Sequence, residues 1–489
     1  MNRKCLFGVL SVATSLTFSK QGVGQDLLTK ETPTQQSSPL IEATSNHPLT
    51  PKVQLAPARE QFEDIATRYK AGTASSPFKL RQDYPSSYYV DEQFPWQDVD
   101  FRLHPKAYCD AVLRYCFEGS TEPAVDFVVQ KNVVRDWYHA PWFHDDGVSN
   151  GAGREAHHGL TRERRSRPGE IHKLQIEYAQ NWAVGFYNDR GGYTLGKVWP
   201  SADLPPNPSC ANFPDQTVAF KLLFTDADVA QVPFLKESKE WTANIYPPIP
   251  KGENYAQERV DRTVRLLQLD FAVKDPRVAN QSGWIFGTFI YDGSLPSRSP
   301  LDRLVYIGLI WDDDADNFSR LCSGAFDNPE LHGTVLNTSI LGESKVEGKA
   351  AMLHSGLGGR LNGPVDNPIS SCISCHARAA VSATTSPDPF ERGQLMAFFD
   401  ATVRSPTDFS RSSFDRFFKA IRPGPHLVGD AGQTYITTDY SQQLAVGIRN
   451  YYQNELLNSA RAAAANATEG IPRSMPSRTL PLGTRGLDD

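Results

Sequence analysis

The sequence predicts an α+β protein, in which an N-terminal region of helices and an antiparallel β meander precedes a mainly helical C-terminal region. Between residues 175 and 340, short runs of β-branched and aromatic residues are separated by turn residues, as in antiparallel sheets. Residues 345–455 contain few strand formers and space their apolar residues as helices do. We expect the meander to form a sandwich or a partial barrel flanked by helices.

The 489 residues are enough for more than one domain, and composition suggests the boundaries. Residues 26–75 are largely polar, which predicts a flexible linker, and residues 76–340 hold the α+β region, which we interpret as a recognition domain. Residues 341–458 are expected to form a second, helical domain. The last residues, 459–489, are rich in Pro, Arg and Ser and predict a disordered tail.

The amino terminus has the features of an export signal. A positive start at Arg3 and Lys4 precedes an apolar run over Cys5–Phe18, and the small residue Gly24 follows. Residues 1–25 are therefore expected to be a signal peptide that directs the chain to the periplasm.

Net charge excludes one class of partner. The formal charge is −6, whereas proteins that bind nucleic acid usually carry a basic excess. The chain also contains no run of 18 apolar residues, so no transmembrane segment is expected.

Two helices are predicted near the start of the ordered region. Pro105 opens the first, in which Tyr108, Val112 and Tyr115 form an apolar stripe at helical spacing. A second helix is predicted over Pro123–Val134.

Four apolar runs predict the strands of the meander. They cover Val218–Phe224, Leu267–Val273, Trp284–Tyr291 and Leu304–Trp311. The acidic segment Asp312–Asp316 follows the last of them. Its alternate carboxylates resemble the start of a calcium loop, but the Gly and Glu of an EF-hand are not at their expected offsets, so a polar strand-end loop is the favoured interpretation.

Residues 154–172 form an arginine- and histidine-rich segment without apolar spacing. It is either a solvated loop or a cationic surface that binds carboxylates of a cofactor, substrate or partner. Its basic residues are Arg154, His157, His158, Arg162, Arg164, Arg165, Arg167 and His172.

The segment Cys372-Ile373-Ser374-Cys375-His376 carries the clearest chemical signal. The pattern C-x-x-C-H is the attachment signature of a c-type haem, because two thiols on one helical turn can each bond a vinyl group while the next imidazole ligates the iron. A zinc site would need a second Cys or His pair at ligand spacing, and none follows. A redox dithiol would normally follow a strand, whereas Gly363–Pro368 has the composition of a turn.

This segment resembles the attachment site of c-type cytochromes, and the layout is similar to exported bacterial cytochrome c family proteins with a large N-terminal region. The specific match covers Arg360–Arg378. The resemblance implies a cytochrome c-like helical region with one covalent haem c and electron transfer. It assigns the thioether bonds to Cys372 and Cys375, and the proximal iron ligand to His376.

The sixth iron ligand is not fixed by any spacing in the chain. Our first candidate is Met396, on a helix predicted over Phe390–Arg404, and our second is His354. Met396 could equally be a core residue, and an open iron is a further alternative. Other residues in range are Met352, His426 and Met475. A last helix is predicted over Asp439–Asn454.

Four cysteines remain outside the motif and the predicted signal. Cys109 and Cys116 lie about 10 Å apart along the predicted helix, too far for a mutual disulfide. Any bridge from them must reach Cys210 or Cys322, and free thiols are the alternative.

Three functions are compatible with these features. The favoured one is an electron relay between unidentified redox partners. The second is a peroxidase-like haem enzyme with an open iron, for which Arg154, His157 and His158 are candidate acid–base and charge-stabilising groups. The third is a haem-containing sensor or binding module.

Overall fold

The computed structural model describes residues 80–141, 159–200, 204–245, 260–297, 299–315, 331–337, 356–400, 402–403, 408–419, 421, 427–429 and 432–466. The predicted signal (1–25) and linker (26–75) lie outside these residues. Among the helices described, none combines the length and apolar character needed to cross a bilayer.

A large antiparallel sheet of eight strands dominates the described structure. Neighbouring strands follow the order β1-β2-β3-β5-β6-β7-β8, and β4 also pairs with β5. The strands are β1 (Thr161–Arg162), β2 (Asn181–Tyr187), β3 (Val218–Thr225), β4 (Glu240–Ile245), β5 (Val260–Lys274), β6 (Trp284–Tyr291), β7 (Leu304–Ile310) and β8 (Thr334–Leu336). The four apolar runs identified in the sequence lie at β3, β5, β6 and β7.

One face of this sheet packs against the N-terminal segment. Helix α1 (Pro105–Phe117) buries the predicted stripe of Tyr108, Val112 and Tyr115. The Trp137 ring lies 4.7 Å from that of Phe220 on β3, measured between centroids. The second helix of the described chain, α2 (Asp189–Val198), follows β2 directly and is capped by the side chain of Asn188.

The prediction of a helix over Pro123–Val134 is wrong. This segment forms turns and a single 3₁₀ turn over Val129–Lys131. The backbone φ angles of Asp126 and Phe127 are 45° and 59°, in the left-handed region that interrupts a right-handed helix.

The opposite face of the sheet packs against the C-terminal segment. This segment contains α3 (Cys372–His376), α4 (Pro389–Arg392), α5 (Arg411–Phe417), α6 (Gln442–Asn466) and a three-stranded sheet of β9 (Ala380–Ser382), β10 (Leu427–Val428) and β11 (Thr434–Thr437). The Tyr187 hydroxyl on β2 bonds that of Ser441 at 2.8 Å. The side chains on this face alternate with those facing Trp137, because successive strand residues point to opposite faces.

The predicted α+β fold with a mainly helical, cytochrome c-like C-terminal region is therefore wrong. The large antiparallel sheet dominates the described residues, and α6 is the single long helix of the C-terminal segment described here. In place of the helix predicted over Phe390–Arg404, the structure has the short helix α4, which ends at Arg392 and has Gly393 as its C-cap. Beyond it Leu395 is extended and bridges Val381. The last predicted helix begins three residues later than expected and runs to Asn466.

Candidate functional site

Helix α3 holds the C-x-x-C-H motif and is capped at its N-terminus by Ser371. The Ser371 hydroxyl accepts a hydrogen bond from the Ser374 backbone N–H, and the Ser374 hydroxyl accepts one from the Ser371 N–H. Such reciprocal capping satisfies amides that a short helix would otherwise leave unpaired. The same Ser371 hydroxyl donates to Asp313 at the end of β7, which ties the motif to the large sheet.

The two sides of α3 have different surroundings. Ile373 and Ser374 are buried in the core. Cys372, Cys375 and His376 are only partly buried, because they line a cavity between α3 and the sheet. The spacing of the motif thus places both thiols and the imidazole on one wall.

This cavity contains about 900 Å³ of empty space, part of it open to solvent. The phenylalanines at positions 271, 286, 398 and 399 belong to its lining, together with polar residues. The polar lining includes Glu163, Arg164, Lys221, Asp270, Thr288, Asn362, Asp366, Asn367 and Gln442.

His376 is held in one tautomer. Its Nδ1 atom lies 2.8 Å from the carbonyl oxygen of Tyr440, and a carbonyl only accepts, so Nδ1 carries the proton. Burial lowers the pKa of His376 to about 4, against the opposing effect of the bond to Tyr440. The imidazole is therefore neutral, with an Nε2 lone pair for a metal. Its ring centroid lies 4.8 Å from that of Phe286 on β6.

The two motif cysteines are free thiols. Burial raises the pKa of Cys372 well above its usual value and that of Cys375 to about 11. Reactive dithiols depend on a lowered pKa, so these cysteines lack the electrostatics of a redox pair. In the described parts of the chain, no group of three or more His, Cys, Asp or Glu side chains is placed to hold a metal ion.

A polar row crosses the sheet beneath the cavity. Lys221 on β3 pairs in register with Asp270 on β5, which pairs with Thr288 on β6. The Lys221 ammonium lies 3.3 Å from the Asp270 carboxylate, to which the Thr288 hydroxyl donates at 2.9 Å. Burial raises the pKa of Asp270 to about 6, although Lys221 opposes the shift.

The polar row was missed in the sequence, although a signal for it exists. Lys221 is the one charged residue within the apolar run Val218–Phe224, and Asp270 interrupts the next strand in the same way. A charged residue at the centre of a buried strand needs a partner or a function. The pairing of the two depended on strand register, which the sequence does not show.

The arginine- and histidine-rich segment reaches the cavity through two residues. Arg164 and Glu163 line it, and burial raises the pKa of the Glu163 carboxyl. His172 is buried elsewhere, with its ring 6.1 Å from that of Phe234. Arg154, His157 and His158 lie outside the described residues.

The structure places the first candidate for the sixth ligand in a core cluster. Met396 is buried with Ala380 and Tyr435, and it is absent from the residues that line the cavity. Its backbone N–H bonds the Ala380 carbonyl at 3.1 Å. His354 lies outside the described residues, as do Met352, His426 and Met475.

The acidic segment after β7 is bonded by protein donors. The Asp314 carboxylate accepts hydrogen bonds from the backbone N–H groups of His332 and Gly333, at 2.7 and 2.9 Å. The Arg360 guanidinium donates to the carbonyls of Asp313 and Asp314. These contacts agree with a strand-end loop.

The other described cysteines are unbridged. Cys109 and Cys116 are buried in α1, and Cys210 is partly buried. Cys322 lies outside the described residues.

No protein-family model, curated protein or solved structure matches the chain. The likeness to c-type cytochromes thus depends on the attachment motif, and the functional argument depends on the geometry of the cavity.

Proposed function

We propose that the protein is an exported redox protein that carries one covalent haem c and relays electrons between partners. The haem would be attached through Cys372 and Cys375, with His376 as the axial ligand. One observation carries the proposal: both thiols and a neutral imidazole, whose Nδ1 is already bonded, line the same cavity. A metal-binding histidine characteristically donates its other ring N–H to a carbonyl or carboxylate in this way.

The remaining walls of the cavity fit the same group. A porphyrin is planar and apolar over most of its area, and the phenyl ring of Phe286, beside His376, offers apolar contact. Its two propionates need cationic or polar partners, which Arg164 and Lys221 can supply. Bound haem supplies one-electron chemistry, whereas the protein supplies binding, orientation and electrostatics.

The proposal is tested by producing the protein together with a haem c maturation system. We expect a red protein whose haem stays with the polypeptide through denaturing electrophoresis. The double variant Cys372→Ala/Cys375→Ala should lose the retained haem, whereas Cys109→Ala/Cys116→Ala, which changes two buried thiols outside the cavity, should keep it. A colourless wild-type protein that contains zinc would refute the proposal.

Export is part of the proposal and has its own test. Haem c is attached to exported chains, and the basic and apolar amino terminus agrees with that route. We expect the mature chain to begin between Lys20 and Leu28 when it is sequenced from its amino end. Holoprotein that starts at Met1 would count against export.

A second candidate function, a haem-dependent oxidoreductase, is favoured by the polar row. An electron carrier has no need of proton-transferring groups beside its haem, whereas Asp270, Lys221 and Glu163 line this cavity. The raised pKa of Asp270, about 6, suits a proton donor near neutral pH, and burial raises the pKa of Glu163 as well. They would hold or deliver a proton to a small substrate such as peroxide.

Two measurements separate the candidates. An oxidoreductase should bind carbon monoxide rapidly and turn over peroxide, and Asp270→Asn should slow turnover by about 100-fold or more with the haem still attached. A relay with a filled sixth position should do neither, and Asp270→Asn should leave its electron exchange nearly unchanged.

A further inference from the structure

The carbonyl that binds His376 belongs to a strained corner of the chain. Asp439 and Tyr440 have backbone φ angles of 47° and 66°, although neither is a glycine. Such residues are strained and persist only where the surrounding structure holds them. The corner lies immediately before α6 and presents the Tyr440 carbonyl to Nδ1 of His376.

The Asp439 carboxylate anchors this corner to the large sheet. The Lys274 ammonium donates to its two oxygens at 2.6 and 2.8 Å. Trp284 donates its indole N–H at 2.9 Å, and the backbone N–H of Phe213 donates at 2.8 Å. The Asp439 side chain is 1% exposed, and four hydrogen bonds from three donor groups leave this buried carboxylate little freedom.

The anchors come from adjacent strands. Lys274 is the last residue of β5 and pairs in register with Trp284, the first residue of β6. Residues on paired strands of a large sheet are among the most rigid positions in a protein. The carboxylate of Asp439 is therefore fixed to two paired strands of the large sheet.

The corner is also bonded to other parts of the C-terminal segment. The Tyr440 hydroxyl donates to the Ile421 carbonyl at 2.6 Å and accepts from the Ile421 N–H at 2.9 Å. The Thr438 N–H donates to the carbonyl of Ala379, three residues beyond His376, at 2.8 Å. The corner thus connects the sheet to the segment that follows the haem motif.

We propose that Lys274 and Asp439 are positioning residues for the axial imidazole. By fixing the corner, they set the distance and direction of the bond between Tyr440 and Nδ1 of His376. The inference builds on the proposed function, because it concerns the ligand that the haem would use. Neither residue lines the cavity, so each acts through the backbone of Tyr440.

The expected effect has a definite sign. A strong bond from Nδ1–H to a carbonyl increases the basicity of the imidazole, which stabilises ferric iron. Loosening the corner weakens that bond and favours ferrous iron. We expect Lys274→Met and Asp439→Asn each to shift the ferric–ferrous equilibrium about three- to tenfold towards ferrous, where tenfold corresponds to about 59 mV for one electron.

The direction of the shift in the ferric–ferrous equilibrium distinguishes a positioning role from a simple electrostatic effect. If the two residues acted only as charges, removing the cation would favour ferric iron and removing the anion would favour ferrous iron. Positioning predicts the same direction for both variants, and no larger shift in the double variant. Lys274→Arg, which keeps a cationic donor, should restore most of the wild-type potential.

The experiment uses the holoprotein, with haem retention on a denaturing gel measured beside the redox titration. Asp136→Asn is the matched control, because Asp136 forms a similarly buried ion pair with Arg81 at 2.7 Å in the N-terminal segment. Asn tolerates left-handed φ angles well, so Asp439→Asn keeps the backbone preference of the corner.

The possible results are distinguishable. Wild-type protein without covalent haem would refute the proposed function itself. Haem retained in all variants, with opposite shifts for Lys274→Met and Asp439→Asn or with no shift, would overturn the positioning role alone. If Asp439→Asn fails to fold, Lys274→Met decides the question alone, because positioning predicts a shift towards ferrous iron and simple electrostatics a shift towards ferric iron. If Lys274→Met fails to fold, the iron–histidine stretching frequency of Asp439→Asn decides, because positioning shifts this frequency and the loss of a charge alone leaves it unchanged.

Discussion

The Ser371 hydroxyl donates a hydrogen bond to Oδ1 of Asp313 at 2.6 Å, across 58 residues of sequence. Asp313 is fully buried, and its other carboxylate oxygen has no hydrogen-bond partner among the residues that the structure describes. The helix that presents both motif cysteines is therefore capped by a serine whose own position depends on a carboxyl group from the loop that follows β7.

This contact predicts a pH-dependent stability. Burial raises the pKa of Asp313 to about 7, despite the opposing effects of Ser371 and Arg360. A raised folded-state pKa gives stability that is present below about pH 4 and is lost as pH rises through about 7. Asp313→Asn removes this titration, so its unfolding free energy relative to wild type should increase between these pH values, by about 4 kcal/mol at most.

Urea unfolding at a series of pH values measures the difference. Asp98→Asn, at an exposed carboxylate, is the control and should track the wild type at every pH. Parallel curves for Asp313→Asn and wild type would mean that Asp313 keeps an ordinary pKa.

Met396→Ala tests the assignment of the sixth ligand. Because Met396 is buried among Ala380 and Tyr435, we expect the variant to lose about 2–4 kcal/mol of stability and, under the proposed function, to keep the spectrum of the haem-loaded protein. The near-infrared absorption of the oxidised protein reports whether sulfur is the sixth ligand of the iron. Loss of a sulfur-ligation band in this variant would instead place Met396 on the iron.

The cysteines of α1 should be unreactive in the native protein. Burial raises the pKa of Cys109 and of Cys116, and thiolates are the reactive form. A thiol reagent should label Cys210, which is partly exposed, and should label the other two only after denaturation. Equal labelling of all three sites in the native state would show that the helix opens readily.

Gly287 gives the Phe271 ring its space on the sheet face opposite Asp270 and Thr288. A Cβ atom added at Gly287 would lie 2.2 Å from Cζ of Phe271, far inside van der Waals contact. We expect Gly287→Ala to lose about 1–3 kcal/mol of stability by overpacking. The double variant Gly287→Ala/Phe271→Leu, with a shorter side chain, should recover part of the loss in thermal unfolding. No recovery would show that the ring is not the obstacle.

Local patterns predicted the strands better than the helices. Val218–Phe224 and Trp284–Tyr291 were recognisable because buried strands leave dense apolar runs bounded by turn residues. The helix expected around Met396 failed because its apolar residues serve another purpose: Leu395 is extended and bridges Val381. Tertiary pairing overrode the local helical spacing at this point.

The motif residues were recognisable because their chemistry requires neighbours in sequence. The partners of that motif were not, because they come from distant positions. Tyr440 lies 64 residues beyond His376, and Asp313 lies 58 residues before Ser371. Such contacts depend on how the sheet and the C-terminal segment pack, which short-range spacing does not encode.

The order of elements along the chain gives the strained corner a consequence for biogenesis. Every described strand of the large sheet precedes Cys372. The Tyr440 carbonyl, which accepts the hydrogen bond from Nδ1–H of His376, lies 64 residues beyond that histidine. A chain synthesised from its amino end therefore completes the sheet first, presents the attachment segment next, and supplies the corner last. Under the proposed function, the maturation machinery has access to both thiols in the interval before Asp439 reaches Lys274, and closure of that ion pair then marks the end of assembly.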